Sequence, residues 1–399
     1  MKYEKRLIAL LAAIQFSHIL DFFIIMPLGP MLMRVFGVNA QEFAILVSSY
    51  TFASAICGFT SAFFVDFFDR KRALLFGFSG FILGTFLCSQ ANSFEMLLGA
   101  RIFAGCFGGI VNGAVFTIIG DVIPEERRGK ATGTVMAAFS IASVVGVPIG
   151  LYFAEMLGWH APFMLLVLFS LAVAFGIGKY VEPMRAHLRD TTHKIDLRTE
   201  LTDFANVLRD INHLKAFAFS VCINMAAFSI IPFISPYLVY NVGLPESRLP
   251  LIYLCGGSFT FFTSRWIGRL SDRYGRYPVY LTVALASLVP ILLLTNLPPV
   301  PLVAMLAVTT LFMVLVSGRF VPAMALITSS ANPARRGAFM GVFNAVHHMA
   351  TGMASIVGGY LIVTEASGLL SGYQKNGYLA AILTLFSLYL AKNIKIRKT

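Results

Sequence analysis

The chain has 399 residues, of which 57% are hydrophobic and only 13% charged; its mean hydropathy is +0.78. A water-soluble domain carries about 25% charged residues, so this composition excludes an ordinary soluble enzyme and points to a polytopic membrane protein. The net charge of +12 has to be placed along the chain before it is read as a nucleic-acid footprint.

Apolar runs of about 20 residues, separated by short polar turns, define the predicted membrane spans. Twelve are expected: 7–34, 42–67, 72–91, 94–120, 130–156 and 161–181, then 215–240, 249–270, 277–296, 301–327, 338–363 and 376–393. They are called spans 1 to 12 below. The first is expected to be retained as a span, since no small-residue cleavage site follows it. Three regions result: an N-terminal six-helix bundle over 1–181, a polar linker over 182–214 and a C-terminal six-helix bundle over 215–399. In the linker, Leu197, Leu201, Phe204, Val207, Leu208 and Ile211 recur near helical spacing. That pattern predicts an amphipathic helix on the membrane surface, with a flexible tether as the alternative.

Placing the basic residues settles the reading of the net charge. With the N-terminus on side one, that side receives twenty-six Lys and Arg and side two receives three; Arg101 and Arg319 lie inside spans. The asymmetry predicts both termini and the linker on the cytoplasmic side of the cell (inner) membrane, and removes the nucleic-acid reading. Cys57, Cys88, Cys106, Cys222 and Cys255 all lie in apolar stretches without CxxC spacing. They read as small buried hydrophobes, so no disulfide or metal site is expected.

Span 1 carries the most expensive residue. Asp21 stands in the middle of its apolar run, with His18 one turn earlier. A charge at the bilayer centre costs roughly 3 kcal/mol or more and usually has a partner and a function. At 1.5 Å per residue, Asp21 lies about 21 Å from the cytoplasmic end of span 1, and Arg101 about 10 Å from the outer end of span 4. In a hydrocarbon core of about 30 Å the two share a level. They could form a proton-coupling pair, directly or through water, or a purely structural ion pair. His18 could tune or relay a proton, or simply pack.

Other polar groups lie within spans. Asn112, Asn224, Arg319, Asn344 and His347 are candidate substrate contacts, with Phe22, Phe228 and Tyr237 as aromatic walls. Arg319 has no acid nearby in its own half; an anionic substrate group, a backbone carbonyl or a lipid headgroup could answer it. His347 and His348 point about 100° apart on a helix and make a poor chelate for one metal.

The two halves repeat each other. Gly268 to Arg276, GRLSDRYGR, aligns with Ala62 to Arg70, so that Asp272 matches Asp66 and Arg276 matches Arg70, both 206 residues apart. PEERRGKATG aligns with NPARRGAFMG, and Gly150 falls opposite Gly358. A steady offset near half the chain length indicates a duplicated bundle. GRLSDRYGR resembles the loop signature of the major facilitator superfamily. Arg101 with Gly105, Gly108 and Gly109 resembles that family's pattern in the fourth helix. Gly146-Val147-Pro148-Ile149-Gly150 resembles the glycine–proline motif of its antiporters, and Asp21 followed by Pro27 and Pro30 its twelve-helix drug–proton antiporter group.

The resemblance implies an all-α polytopic membrane fold: twelve transmembrane helices in two pseudo-symmetric six-helix bundles. It implies a secondary transporter moving a small organic molecule by alternating access, most readily as proton-coupled efflux. A uniporter or proton symporter for a sugar, metabolite or lipid-like substrate is the alternative, and a transport-dead membrane sensor a further one. It also implies a cytoplasmic gate built from Asp66, Arg70, Arg127, Arg128, Gly268, Asp272, Arg273, Gly275, Arg276, Arg335 and Arg336, and a tight packing or sealing role for Gly146, Pro148 and Gly150. The N-terminal loop copy departs from the signature, with Ala62, Phe67 and Asp69 in place of glycine, arginine and glycine. Nothing resembles a P-loop, so ATP hydrolysis is not expected, and no acidic pair or Ser/His/Asp arrangement suggests a membrane enzyme. The expected partners are a small-molecule substrate, protons and membrane lipids, with no cofactor, no metal and no nucleic acid, for a chain acting as a monomer.

Overall fold

The computed structural model describes residues 2–61, 67–184, 197–332 and 335–397. The expected gate residue Asp66 and linker residues 185–196 lie outside these. The described chain is helical throughout, apart from a two-stranded ribbon pairing Val363 with Ser371 and Thr364 with Leu370. Among the described residues, nine helices are long and apolar enough to cross a membrane. Leu249–Tyr274, Arg336–Leu361 and Tyr373–Lys392 are three further long helices, at spans 8, 11 and 12.

Several predicted spans are interrupted, each for a local reason. Span 1 is Lys2–Ile24 followed by Gly29–Phe36. Pro27 and Pro30 lack the N–H that a continuous helix needs, so the chain turns between them. Span 7 starts earlier than predicted, at Ile211, and breaks in the same way: Ile211–Phe228, a 3-10 turn Ile231–Phe233, then Ile234–Tyr240, with Pro232 and Pro236 at the break. Pro30 and Pro236 are 206 residues apart, the repeat offset of the loop motif. Span 5 runs Glu125–Ile141, a π-turn Ala142–Gly146, then Val147–Leu157. The π-turn absorbs the bond missing at Pro148. Span 10 is divided at Arg319, between Leu302–Gly318 and Phe320–Ser330, with Pro322 one turn on.

Polar residues fix the helix starts. Asp69 accepts from the N–H groups of Lys71 and Arg72, at 2.9 and 3.2 Å, and caps Arg70–Ser89. Ser93 caps Phe94–Val122 through Met96 N–H. Gly275 has φ +94°, so one residue both ends Leu249–Tyr274 and starts Arg276–Thr295. A side chain there would be strained, which explains the glycine in the loop signature.

Packing divides the chain into two compact units: Met1–Ile25 with Ser49–Leu197, and Met26–Ser48 with Arg198–Thr399. In the first, Leu7, Leu11, Ile14, Phe78, Phe81, Val111, Val115 and Ile177 form a buried apolar core. Gly146 and Gly150 face span 1: a Cβ on Gly146 would lie 2.9 Å from Leu20, and one on Gly150 2.6 Å from Ile24. Such close approach is how small residues replace the missing hydrophobic drive between membrane helices.

The second unit includes Met26–Ser48, which the sequence assigns to the N-terminal bundle. The segment packs there through Gly29 against Pro236 and Phe43 against Phe233, and Ala44 lies against Gly359. Tyr240 donates to Pro30 O at 2.7 Å, Ala40 N–H to Thr364 Oγ1 at 3.1 Å, and Arg34 pairs with Glu246. Asn241 exchanges two hydrogen bonds with Leu370 of the ribbon.

The linker helix is Leu197–Arg209, with Val207 buried. Asp210 then caps span 7 through Asn212 N–H and accepts from Arg397 at 2.5 Å. Asn212 and Lys395 exchange two further bonds, which fasten the C-terminal segment to the start of span 7. Burial alone would raise the Asp210 carboxyl, but bonds from Arg397 and Asn212 N–H, with the charges of His213 and Arg397, hold it below the usual range. The stabilisation is therefore present above the unfolded carboxylate value of about 4 and is lost as pH falls through the lower folded value. Asp210→Ala is expected to destabilise the protein by about 1 kcal/mol at neutral pH, in a thermal unfolding assay. The difference from wild type should shrink at pH 3.

Candidate functional site

The fold carries Asp21 and Arg101 to one point inside the first unit. Asp21 lies three residues before the end of Lys2–Ile24, and Arg101 seven residues after the start of Phe94–Val122. Arg101 Nη1 donates to Asp21 Oδ2 at 2.6 Å and to Asp21 O at 3.1 Å. Thr85 of span 3 donates to Asp21 Oδ1 at 3.2 Å. The Arg101 guanidinium also stacks over the Tyr50 ring, 4.3 Å from its centroid. Both charged side chains are 0% exposed.

That environment gives the pair its chemistry. In low dielectric the two charges hold each other strongly, while each alone would be costly. Protonating the carboxyl removes the attraction and leaves the guanidinium on an aromatic face and a backbone carbonyl. Proton binding therefore requires the local packing or hydration to change.

Glycines set the approach distances. A Cβ on Gly105 would lie 2.4 Å from Tyr50 O, and one on Gly109 2.3 Å from Ser54 O. Span 4 thus lies on the backbone of span 2, and Tyr50 is held beneath Arg101. His18 is buried, with its ring 5.9 Å from Tyr50 and 6.3 Å from Phe81. Phe22 stacks on Tyr50 at 5.8 Å, and Asn112 accepts from Gln15 at 3.1 Å.

The second unit holds a separate polar group. Asn224 donates to Ser220 O at 2.8 Å, lies 3.1 Å from His347 Nδ1 and accepts from Thr351 at 3.4 Å. Ser220, Asn224, Met324, Phe343 and His347 line a small cavity. His347 and His348 have their rings 87° apart. Tyr237 donates to Leu297 O at 3.1 Å, Phe228 is buried, and Asn344 is half-buried. Arg319 is fully buried among the hydroxyls of Ser287 and Thr384.

The loop charges make contacts inside their own units. Arg70 pairs with Asp121 at 2.8 Å and Arg127 with Glu4 at 2.8 Å, while Arg128 donates to Ile123 O. In the second unit Arg276 donates to Ala325 O at 3.1 Å, Arg273 lies over Tyr274, and Gly268 is 3.8 Å from Val321 as a Cβ would measure it. Arg335 N–H donates to Asn332 O, and Asp272 and Arg336 are exposed.

Sequence reasoning missed Tyr50, Thr85, Gln15, Ser287 and Thr384. Each is a polar residue in an apolar helix, but a single span has no marker of which neighbour such a residue meets.

Comparison with known proteins agrees with this architecture. The family model of the Major Facilitator Superfamily matches residues 11–262 and 217–395. The chain belongs to the major facilitator superfamily and is a multi-pass membrane transporter, not an enzyme. It is 26% identical over 376 residues to an uncharacterized MFS-type transporter, YwfA, of Bacillus subtilis, covering 92% of this chain and 87% of that one. It is 26% identical over 256 residues to the chloramphenicol resistance protein of Streptomyces lividans, covering 63% of each. Among solved structures, an inward-facing bacterial homolog of the human lysosomal transporter Spinster matches with TM-score 0.78 at 14% identity, covering 98% of this chain and 97% of that one. At that identity the likeness concerns the fold.

Proposed function

We propose that this transporter exports a small organic molecule in exchange for protons, by alternating access. It works as a monomer in the cytoplasmic membrane, with both termini in the cytoplasm. The observation that carries the reading is the fully buried Asp21–Arg101 pair, joined at 2.6 Å. A carboxylate so placed is a proton acceptor whose charge state is tied to local structure. The resistance named for the Streptomyces relative agrees with export of a toxic small molecule. Asn224 and His347 in one unit, and Asn112 with Gln15 in the other, are the polar groups we assign to substrate contact.

The test is proton release. Detergent-purified protein in weak buffer is titrated with a panel of small organic compounds while pH is followed. A binding compound should release protons from the wild type, and none from Asp21→Asn. Binding without proton release in the wild type would overturn the coupling assignment.

A further inference from the structure

Arg319 is fully buried inside the helices of the second unit, with no carboxylate partner among the described residues. It lies at the junction of Leu302–Gly318 and Phe320–Ser330 and is 0% exposed. Its Nη1 donates to Thr384 Oγ1 at 2.8 Å and to Ser287 Oγ at 3.4 Å. Around these, Tyr280 Oη and Ser387 Oγ are 2.5 Å apart, and Tyr280, Ser287, Thr384 and Ser387 are all fully buried. Nε and Nη2 have no hydrogen-bond acceptor among the described residues. These two groups lie on one edge of the guanidinium and present parallel N–H donors, the fork that grips an anion.

The chain supplies no counter-charge in this half. The carboxylates of the second unit are Glu42, which accepts from Asn39 N–H at the start of Ala40–Ser61, and Glu200, Asp203, Asp210, Glu246, Asp272 and Glu365. Glu200 and Asp203 lie in the linker helix, Asp210 caps span 7, Glu246 and Glu365 lie between spans, and Asp272 is in the last turn of span 8. Arginine does not deprotonate, so burial leaves a full positive charge. In the first unit the corresponding demand is met by Asp21. In the second the neighbours are neutral hydroxyls, which help solvate an ion pair but cannot complete one.

We infer that Arg319, with Thr384 and Ser287, is a binding site for a small monovalent anion that completes the charge balance of the second unit. One charge and a two-donor edge suit a halide or a small carboxylate, and the full burial of that edge leaves no room for a bulky anion. This site is separate from the proton-coupling pair and does not depend on the direction of transport.

The test compares thermal unfolding of the purified protein in chloride, formate or gluconate at constant ionic strength. Gluconate, too large for the site, is the reference. Chloride or formate should raise Tm saturably, by roughly 3 °C or more. The better of the two identifies the anion as halide or carboxylate, and either supports the site. Arg319→Met fills the same space without charge and should remove the anion dependence. Thr384→Val should shift saturation to higher concentration, and gives the reading if Arg319→Met does not fold. Equal Tm in all three salts, or the same chloride and formate dependence in wild type and in the folded variants, would overturn the inference.

Discussion

Replacing Asp21 with asparagine is expected to bring proton-driven transport down to the level of empty vesicles. Asparagine keeps the size and a hydrogen-bonding oxygen, but it cannot take up a proton as a carboxylate does. Asp21→Ala should also destabilise the protein by about 3–5 kcal/mol, because it strands Arg101 in a dry site. A purely structural ion pair makes a different prediction, and a double variant separates the two. Asp21→Asn with Arg101→Gln removes both charges together, so most of the stability should return. Coupled transport should not. Recovery of both would mean that the pair only holds helices together.

Gly105→Val is expected to lower stability by about 3 kcal/mol, with loss of transport in what still folds. The obstacle is backbone: the new Cβ would sit 2.4 Å from Tyr50 O, and no side-chain rotation relieves it. Spans 2 and 4 must separate, and Tyr50 must then leave the face of Arg101. Gly113→Ala is the control on the same helix. A Cβ there meets nothing within 4 Å, so the alanine should be neutral or stabilising by about 0.5–1 kcal/mol. Thermal unfolding of the two variants side by side checks the argument. Equal behaviour would remove the close approach of spans 2 and 4 as the reason for the glycines.

Much of the site was readable because charge in a membrane is rare. Asp21 and Arg101 stood out as ionised residues well inside apolar runs, and rise per residue put them at one depth. The contact partners were not readable in the same way. Thr85 and Tyr50 are ordinary polar residues in helices, and facing depends on rotation about the helix axis, which hydropathy does not report. The helix interruptions at Pro27–Pro30 and Pro232–Pro236 were hidden by continuous hydrophobicity, although the prolines marked where they fall. The ribbon at Val363–Ser371 is too short to give a periodic signal. The place of Met26–Ser48 in the second unit depends on packing of Gly29, Phe43 and Ala44 with residues some two to three hundred positions away. Arg319 could be seen to lack an acid in its half, but its hydroxyl setting needed the fold.

The central claim is exchange, and the direction of proton flow tests it most directly. Protein reconstituted into liposomes with a trapped pH indicator is given an outward gradient of a transported compound and no pH gradient. The account predicts that the lumen acidifies as the compound leaves, and that Asp21→Asn abolishes this change. A lumen that turns alkaline would show protons leaving with the compound, and an unchanged lumen pH during measurable flux would show uncoupled transport; either result contradicts it.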